Sequence, residues 1–230
     1  MSDFFSESAT VGVVISFLMY YAGLAINKKT KLAILNPLLL AIIGVIAFLL
    51  IFNIDYEVYN SSAKYLSYLL TPATVSLAIP MYQKLELLKR EPIAILSGIV
   101  SGVIASLLSV FALSLVFGLS HEQYVTLLPK SITTAIGMGV SEELGGMAVI
   151  TTASIIITGI FGNIAADLLW RVFRITDPIS KGISIGTAAH AFGTSKALET
   201  GETEGAMSSL SIVVSGLCTV VLANIFSGLI

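Results

Sequence analysis

Charge is what this chain has least of. Only 11% of its 230 residues are Asp, Glu, Lys or Arg, against 56% hydrophobic, and the mean hydropathy is +0.95. A water-soluble domain carries about a quarter charged residues. One aqueous core cannot hide this much apolar surface, so lipid must be the solvent. Cysteine occurs once, at Cys218, which excludes an internal disulfide. Histidine occurs only at His121 and His190. No His/Cys/Asp cluster has metal-ligand spacing, and no glycine-rich nucleotide loop follows a strand. A serine or threonine nucleophile would find only His190 as its base. No enzymatic activity and no cofactor are therefore expected. A basic patch with interleaved aromatics is also missing, which argues against nucleic acid as a partner. The first eight residues hold Asp3 and Glu7 but no basic residue, unlike a secretory signal. The first apolar segment is expected to stay in the mature protein.

What is there is a set of long apolar stretches punctuated by basic clusters. Lys28, Lys29 and Lys31 form one cluster, Lys84, Lys89 and Arg90 a second, and Arg171, Arg174 and Lys181 a third. Roughly 20 apolar residues span the hydrocarbon core as a helix. Strong spans are expected at 9–26, 36–52, 65–82, 92–117, 147–170 and 206–229, with weaker stretches at 127–140 and 182–198. Basic loops stay on the cytoplasmic side, which predicts that 27–31, 83–91 and 171–181 are cytoplasmic. The expected fold is all-α: one polytopic integral membrane domain over 1–230, with about six full spans and two re-entrant or broken segments, as in transporters.

The broken segments follow from counting sides. Three apolar stretches separate the second and third basic clusters, and three full crossings would place the third cluster outside. One stretch must enter and leave on the same face. Residues 127–140 are the best candidate, because they are short and contain Pro129, Lys130, Gly137 and Gly139 before Glu142 and Glu143. Residues 182–198 have the same character, crowded with glycine and hydroxyl residues around His190. Non-helical backbone at membrane depth survives only where protein or a water-filled cavity covers it. Two such segments entering from opposite faces would meet near the midplane. Small residues repeat every four positions at Gly98, Gly102 and Ser106, at Ser154, Thr158, Gly162 and Ala166, and at Ser211, Ser215, Thr219, Ala223 and Ser227. Such stripes let helices pack closely in lipid, within one bundle or between copies in a homo-oligomer.

Lys130 is the sharpest candidate. A lysine at membrane depth is a functional hypothesis by default, although its stem could also carry the ammonium to the interface. With Ser131, Thr133, Thr134 and free N–H groups at a helix start it could bind a small carboxylate. His190 could donate to that carboxylate or titrate to couple transport to protons. It could equally be a hydrogen-bonded packing residue. Thr194 and Ser195 follow it, and Lys196 could complete an anion cradle or simply be interfacial. Thr71 and Thr74 flank Pro72 and could meet its freed backbone groups or a ligand. Asn163 reads as a helix–helix hydrogen bond, and Asp167 with Arg171 as an ion pair one turn apart.

These residues carry a family resemblance. Leu127-Leu-Pro-Lys-Ser-Ile-Thr-Thr-Ala-Ile-Gly137, Ser141-Glu-Glu-Leu-Gly-Gly146 and Gly186-Thr-Ala-Ala-His-Ala-Phe-Gly-Thr-Ser-Lys-Ala-Leu-Glu199 resemble the signatures of the LrgB/CidB family, and Thr71-Pro-Ala-Thr74 with Ala78-Ile-Pro-Met-Tyr82 resembles its earlier motif. The resemblance implies a bacterial plasma-membrane protein paired with a smaller LrgA/CidA-type holin-like protein. It also implies antiholin-like control of murein hydrolase activity, autolysis (cytolysis) and programmed cell death. Related proteins are associated with small carboxylates, among them pyruvate in bacteria and glycolate or glycerate in a plastid translocator. The expected function is a secondary transporter of small monocarboxylates of the pyruvate, lactate or glycolate type, in a proton-coupled form if His190 titrates. The alternative is an antiholin-like regulator that binds its holin-like partner through helix faces.

Overall fold

A computed structural model describes residues 10–30, 35–69, 72, 75, 76, 78–83, 86, 89 and 91–230. All the regular structure among them is helical. The helices are α1 (Val11–Thr30), α2 (Pro37–Ile51), α3 (Tyr56–Ala63), α4 (Tyr65–Tyr68), α5 (Ala78–Gln83), α6 (Pro92–Phe117), α7 (His121–Leu127), α8 (Thr134–Glu143), α9 (Ala148–Val172), α10 (Pro178–Thr200) and α11 (Glu202–Ser227). Four of them, α1, α6, α9 and α11, are long and apolar enough to cross a membrane, and α2 is a shorter apolar helix. The chain is thus a multi-pass membrane protein. The expected third span, 65–82, is represented by α4 and α5, and most of the residues between them lie outside the described set.

By its internal contacts the chain forms two compact units, Met1–Ser76 and Leu77–Ile230. In the first, Pro37 opens α2 at a position where its missing N–H costs nothing, and Asn36 caps it by accepting from Leu38 N at 2.9 Å. Helix α1 lies against α2 closely enough that a Cβ on Gly23 would come within 2.5 Å of the Pro37 carbonyl. It meets α3 through Gly12 N, which donates to Ser62 Oγ at 2.9 Å.

The second unit is built on α6, α9 and α11. Pro92 opens α6, and Gly118, at φ 62°, closes it in the left-handed conformation that glycine accepts freely. Ser120 and Gln123 then form a reciprocal capping box that starts α7 at once. The small-residue stripes face inward, and their occupants are the two segments expected to be broken. Gly98 and Gly102 of α6 face Ile183 and Thr187 of α10, while Gly162 of α9 faces Ala189.

Candidate functional site

The first broken segment is a helical hairpin, α7–turn–α8. Its entry is tied to the C-terminal end of α11: His121 Nδ1 lies 2.7 Å from Ile230 O, and Tyr124 OH donates to Phe226 O at 2.9 Å. The hairpin turns at 128–133 and returns along α9. On the return, Ser141 Oγ accepts from Thr151 Oγ1 at 2.7 Å, and Thr126 Oγ1 accepts from Met147 N at 2.9 Å. These bonds pin both legs to the start of α9. In the first turn of α8, Gly137 sits so close to Ile155 that an added Cβ would lie 2.5 Å from Ile155 Cδ1.

The second broken segment is α10 itself, which folds back on its own length. A straight helix separates residues eight apart by about 12 Å. Here a Cβ on Gly193 would lie 2.5 Å from the Ile185 carbonyl oxygen. The reversal happens at His190, whose φ of 40° and ψ of −129° are non-helical. A non-glycine residue holds such a conformation only where its surroundings over-determine it, at a cost of about 1–3 kcal/mol. The surroundings do so here. His190 Nε2 lies 3.1 Å from Ile155 O, which requires the proton on Nε2. Asn163 Nδ2 donates to Phe192 O at 2.8 Å, satisfying a carbonyl next to the break. Thr194 Oγ1 donates to His190 O at 3.0 Å and lies 2.7 Å from Ser208 Oγ on α11. The outgoing leg runs alongside α11, with Gly182 against Glu204 and Gly186 against Ser208. The returning leg brings Leu198 back to Gly205.

The hairpins therefore enter from opposite ends of the unit. The first comes in beside the end of α11 and the start of α9, and the second beside the start of α11 and the end of α9. The two hairpins meet at Ile155, which is fully buried. Gly137 of the first presses on its side chain, and His190 of the second bonds its carbonyl.

Between the tips lies a small cavity lined by Val103, Ser106 and Leu107 of α6, Leu128, Ser131 and Ile132 of the first tip, Thr187 of α10, and Ser215 and Thr219 of α11. It leaves about 10 Å³ for the centre of a water molecule, close to the smallest space that can hold one. Two of its hydroxyls, Thr187 Oγ1 and Ser215 Oγ, have no hydrogen-bond partner among the described residues, although Thr187 and Ser215 are only 5% and 1% exposed. A buried polar group without a partner costs about 1–3 kcal/mol. Lys130 adjoins the same wall. Its Nζ donates to Ser131 Oγ at 3.2 Å and Ser106 Oγ at 3.4 Å, and Ser106 Oγ donates to Ser131 Oγ at 3.0 Å. Chemically this is a concave site of hydroxyl donors with an amine one oxygen behind it, and so suited to a small anion.

Of the residues expected from the sequence, Ser131 lines this cavity, and Lys130, outside the lining, adjoins it through its bonds to Ser131 and Ser106. Thr133 and Thr134 sit half-buried at the start of α8, and Thr133 makes no side-chain cap bond. His190 and Thr194 are buried but bonded against α9 and α11, outside the cavity lining. Ser195 is exposed. Thr71 and Thr74 lie outside the described residues. Asn163 makes the inter-helix bond expected of it. Asp167, expected to pair with Arg171, instead meets Lys196 Nζ at 2.8 Å, because the returning leg of α10 lies alongside α9. That pair also takes Lys196 away from any anion cradle. Ser106, Thr187, Ser215 and Thr219 were missed as ligand candidates. The signal was present for three of them: hydroxyls at 106, 215 and 219 occupy stripe positions where glycine or alanine would pack as well.

Comparison with known proteins gives the family. The chain belongs to the LrgB-like family, whose model matches residues 16–229. It is 37% identical over 216 residues to the antiholin-like protein LrgB of Bacillus cereus (strain B4264), covering 94% of each chain. The antiholin-like protein LrgB of Bacillus anthracis (strain CDC 684 / NRRL 3495) matches to the same extent. No solved structure matches the chain.

Proposed function

We propose that this LrgB-family chain is an antiholin-like protein of the bacterial plasma membrane that works with a holin-like membrane partner. The observation that carries this reading is the similarity to relatives of that name over 94% of the chain. Co-expression tests it. The chain should co-purify with a holin-like protein from the same membrane and delay the lysis that protein causes when expressed alone. Lysis with unchanged timing and no co-purification would refute it.

A second reading rests on the hairpins. We infer that the cavity between their tips takes a small monocarboxylate of the pyruvate, lactate or glycolate type and passes it across the membrane. Support comes from two buried hydroxyls in one lining that have no partner among the described residues, beside a lysine whose hydrogen bonds among those residues run to hydroxyls. A regulator acting through its outer faces needs no such arrangement. The present cavity holds one water at most, so it corresponds to a closed state that opens by withdrawal of a hairpin tip. Proteoliposomes containing the chain should take up labelled pyruvate, lactate or glycolate, and Lys130→Gln should lower uptake at least tenfold with unchanged insertion. Uptake at background for all three, in intact vesicles, would end this reading. The two readings are compatible, since altered carboxylate flux would itself change when cells lyse.

A further inference from the structure

We propose that Lys130, and not His190, is the group that binds a proton together with the anion, so that each passage carries one anion and one proton with no net charge. This rests on the transport reading above.

The geometry around Lys130 is that of an amine without a counter-charge. Its hydrogen bonds among the described residues run to hydroxyls, Ser131 Oγ at 3.2 Å and Ser106 Oγ at 3.4 Å. Among the described residues no carboxylate lies within ion-pair distance of it. Each element lining the adjoining cavity presents neutral groups: Ser106 with Val103 and Leu107 from α6, Ser131 with Leu128 and Ile132 from the hairpin tip, Thr187 from α10, and Ser215 and Thr219 from α11. The nearest ionisable side chain along α10 is His190, one turn beyond Thr187, and its Nε2 is committed to the Ile155 carbonyl. Removing that proton donor would release the hairpin tip, which makes His190 a peg for the fold.

Lys130 is half-buried, and an ammonium inside a membrane protein is costly unless an opposite charge joins it. With the cavity empty, the neutral amine satisfies Ser106 and Ser131 equally well, because it can accept from a hydroxyl as well as donate. When a carboxylate settles on the shared hydroxyls it brings the missing negative charge. The amine lone pair then takes a proton from the aqueous phase, forming one N–H bond, and the loaded site is an ammonium–carboxylate pair of zero net charge. Release reverses the step, and the proton leaves with the anion. The two unpartnered hydroxyls of Thr187 and Ser215 supply the remaining donors.

The test uses the full chain and pyruvate as probe. In detergent and weak buffer at mildly alkaline pH, saturating the wild type with pyruvate should absorb one proton per anion bound. Lys130→Arg, a fixed cation, should absorb none, and His190→Gln should keep the wild-type ratio. In proteoliposomes with an internal pH dye, wild-type uptake should acidify the lumen by one proton per pyruvate and ignore an imposed membrane potential. If Lys130→Arg fails to bind, the wild-type measurements decide alone. Pyruvate uptake without proton uptake, or loss of the proton in His190→Gln while pyruvate still binds, overturns the assignment and leaves the transport reading standing. No binding and no uptake of pyruvate, lactate or glycolate by the wild type overturns both.

Discussion

Replacing Thr187 with valine should stabilise the protein while destroying its cavity chemistry. Valine keeps the shape of threonine and removes only the hydroxyl. At most buried positions that is harmful, because it breaks a bond. At Thr187 the hydroxyl has no partner and the residue is 5% exposed, so the substitution removes a penalty. An unpaired buried polar group costs about 1–3 kcal/mol. Taking the low end for a site that leaves space beside it, Thr187→Val should gain about 1 kcal/mol. In a chain of this size that corresponds to a rise in Tm of about 2–4 °C. Thr194→Val is the control. Its hydroxyl bonds both His190 O and Ser208 Oγ, so its loss should lower Tm by a similar amount. The assay is thermal unfolding in detergent, read by a thiol-reactive dye at the single native Cys218. The same preparations report pyruvate binding, which Thr187→Val should weaken at least tenfold. If Thr187→Val lowers Tm as far as Thr194→Val does, the hydroxyl has a partner, and the account of the cavity as a set of waiting donors is wrong.

Other substitutions probe the fit of the hairpins. Gly102→Val should destabilise the unit by about 1–3 kcal/mol through overpacking, since even a Cβ there would lie 2.6 Å from Thr187 Cγ2; a lower Tm with reduced pyruvate uptake is the expected readout. Asn163→Ala removes the donor to Phe192 O beside the break and should cost about 1–3 kcal/mol, with faster amide exchange confined to residues around the second tip. Asp167→Asn breaks the bridge to Lys196, whose partners are 50% and 24% exposed; it should change stability, read from Tm, by no more than about 1 kcal/mol, and a large loss would show the bridge to be shielded from water. Ser141→Ala should loosen the first hairpin, since Thr151 Oγ1 donates to it at 2.7 Å, and increased protease cutting near 142–146 would report this.

The broken segments were legible because glycine, proline and a lysine interrupt apolar stretches that are otherwise uniform. Their contact through Ile155 fits two segments that enter the unit from opposite ends. The inward direction of the small-residue stripes was only half readable. Spacing shows that a helix can be approached closely, but it does not say by what. The composition of the site was harder. His190 stood out because it is the one imidazole in a glycine-rich break, yet what a break needs first is satisfaction of its own backbone, and Ile155 O absorbs the ring. Thr187 gave no signal, because one threonine among many is marked only by what fails to bond it. The Asp167–Lys196 bridge depends on α10 doubling back, a reversal that places residues from separate stretches side by side.

Ile155 ties the two hairpins to each other. One leans on its side chain and the other hangs from its carbonyl, so a shift of either hairpin reaches the other through a single residue. On the transport reading proposed above, such a link would let one hairpin withdraw while its opposite number stays seated, which is the condition for moving a solute while the ion gradients of the cell stay intact.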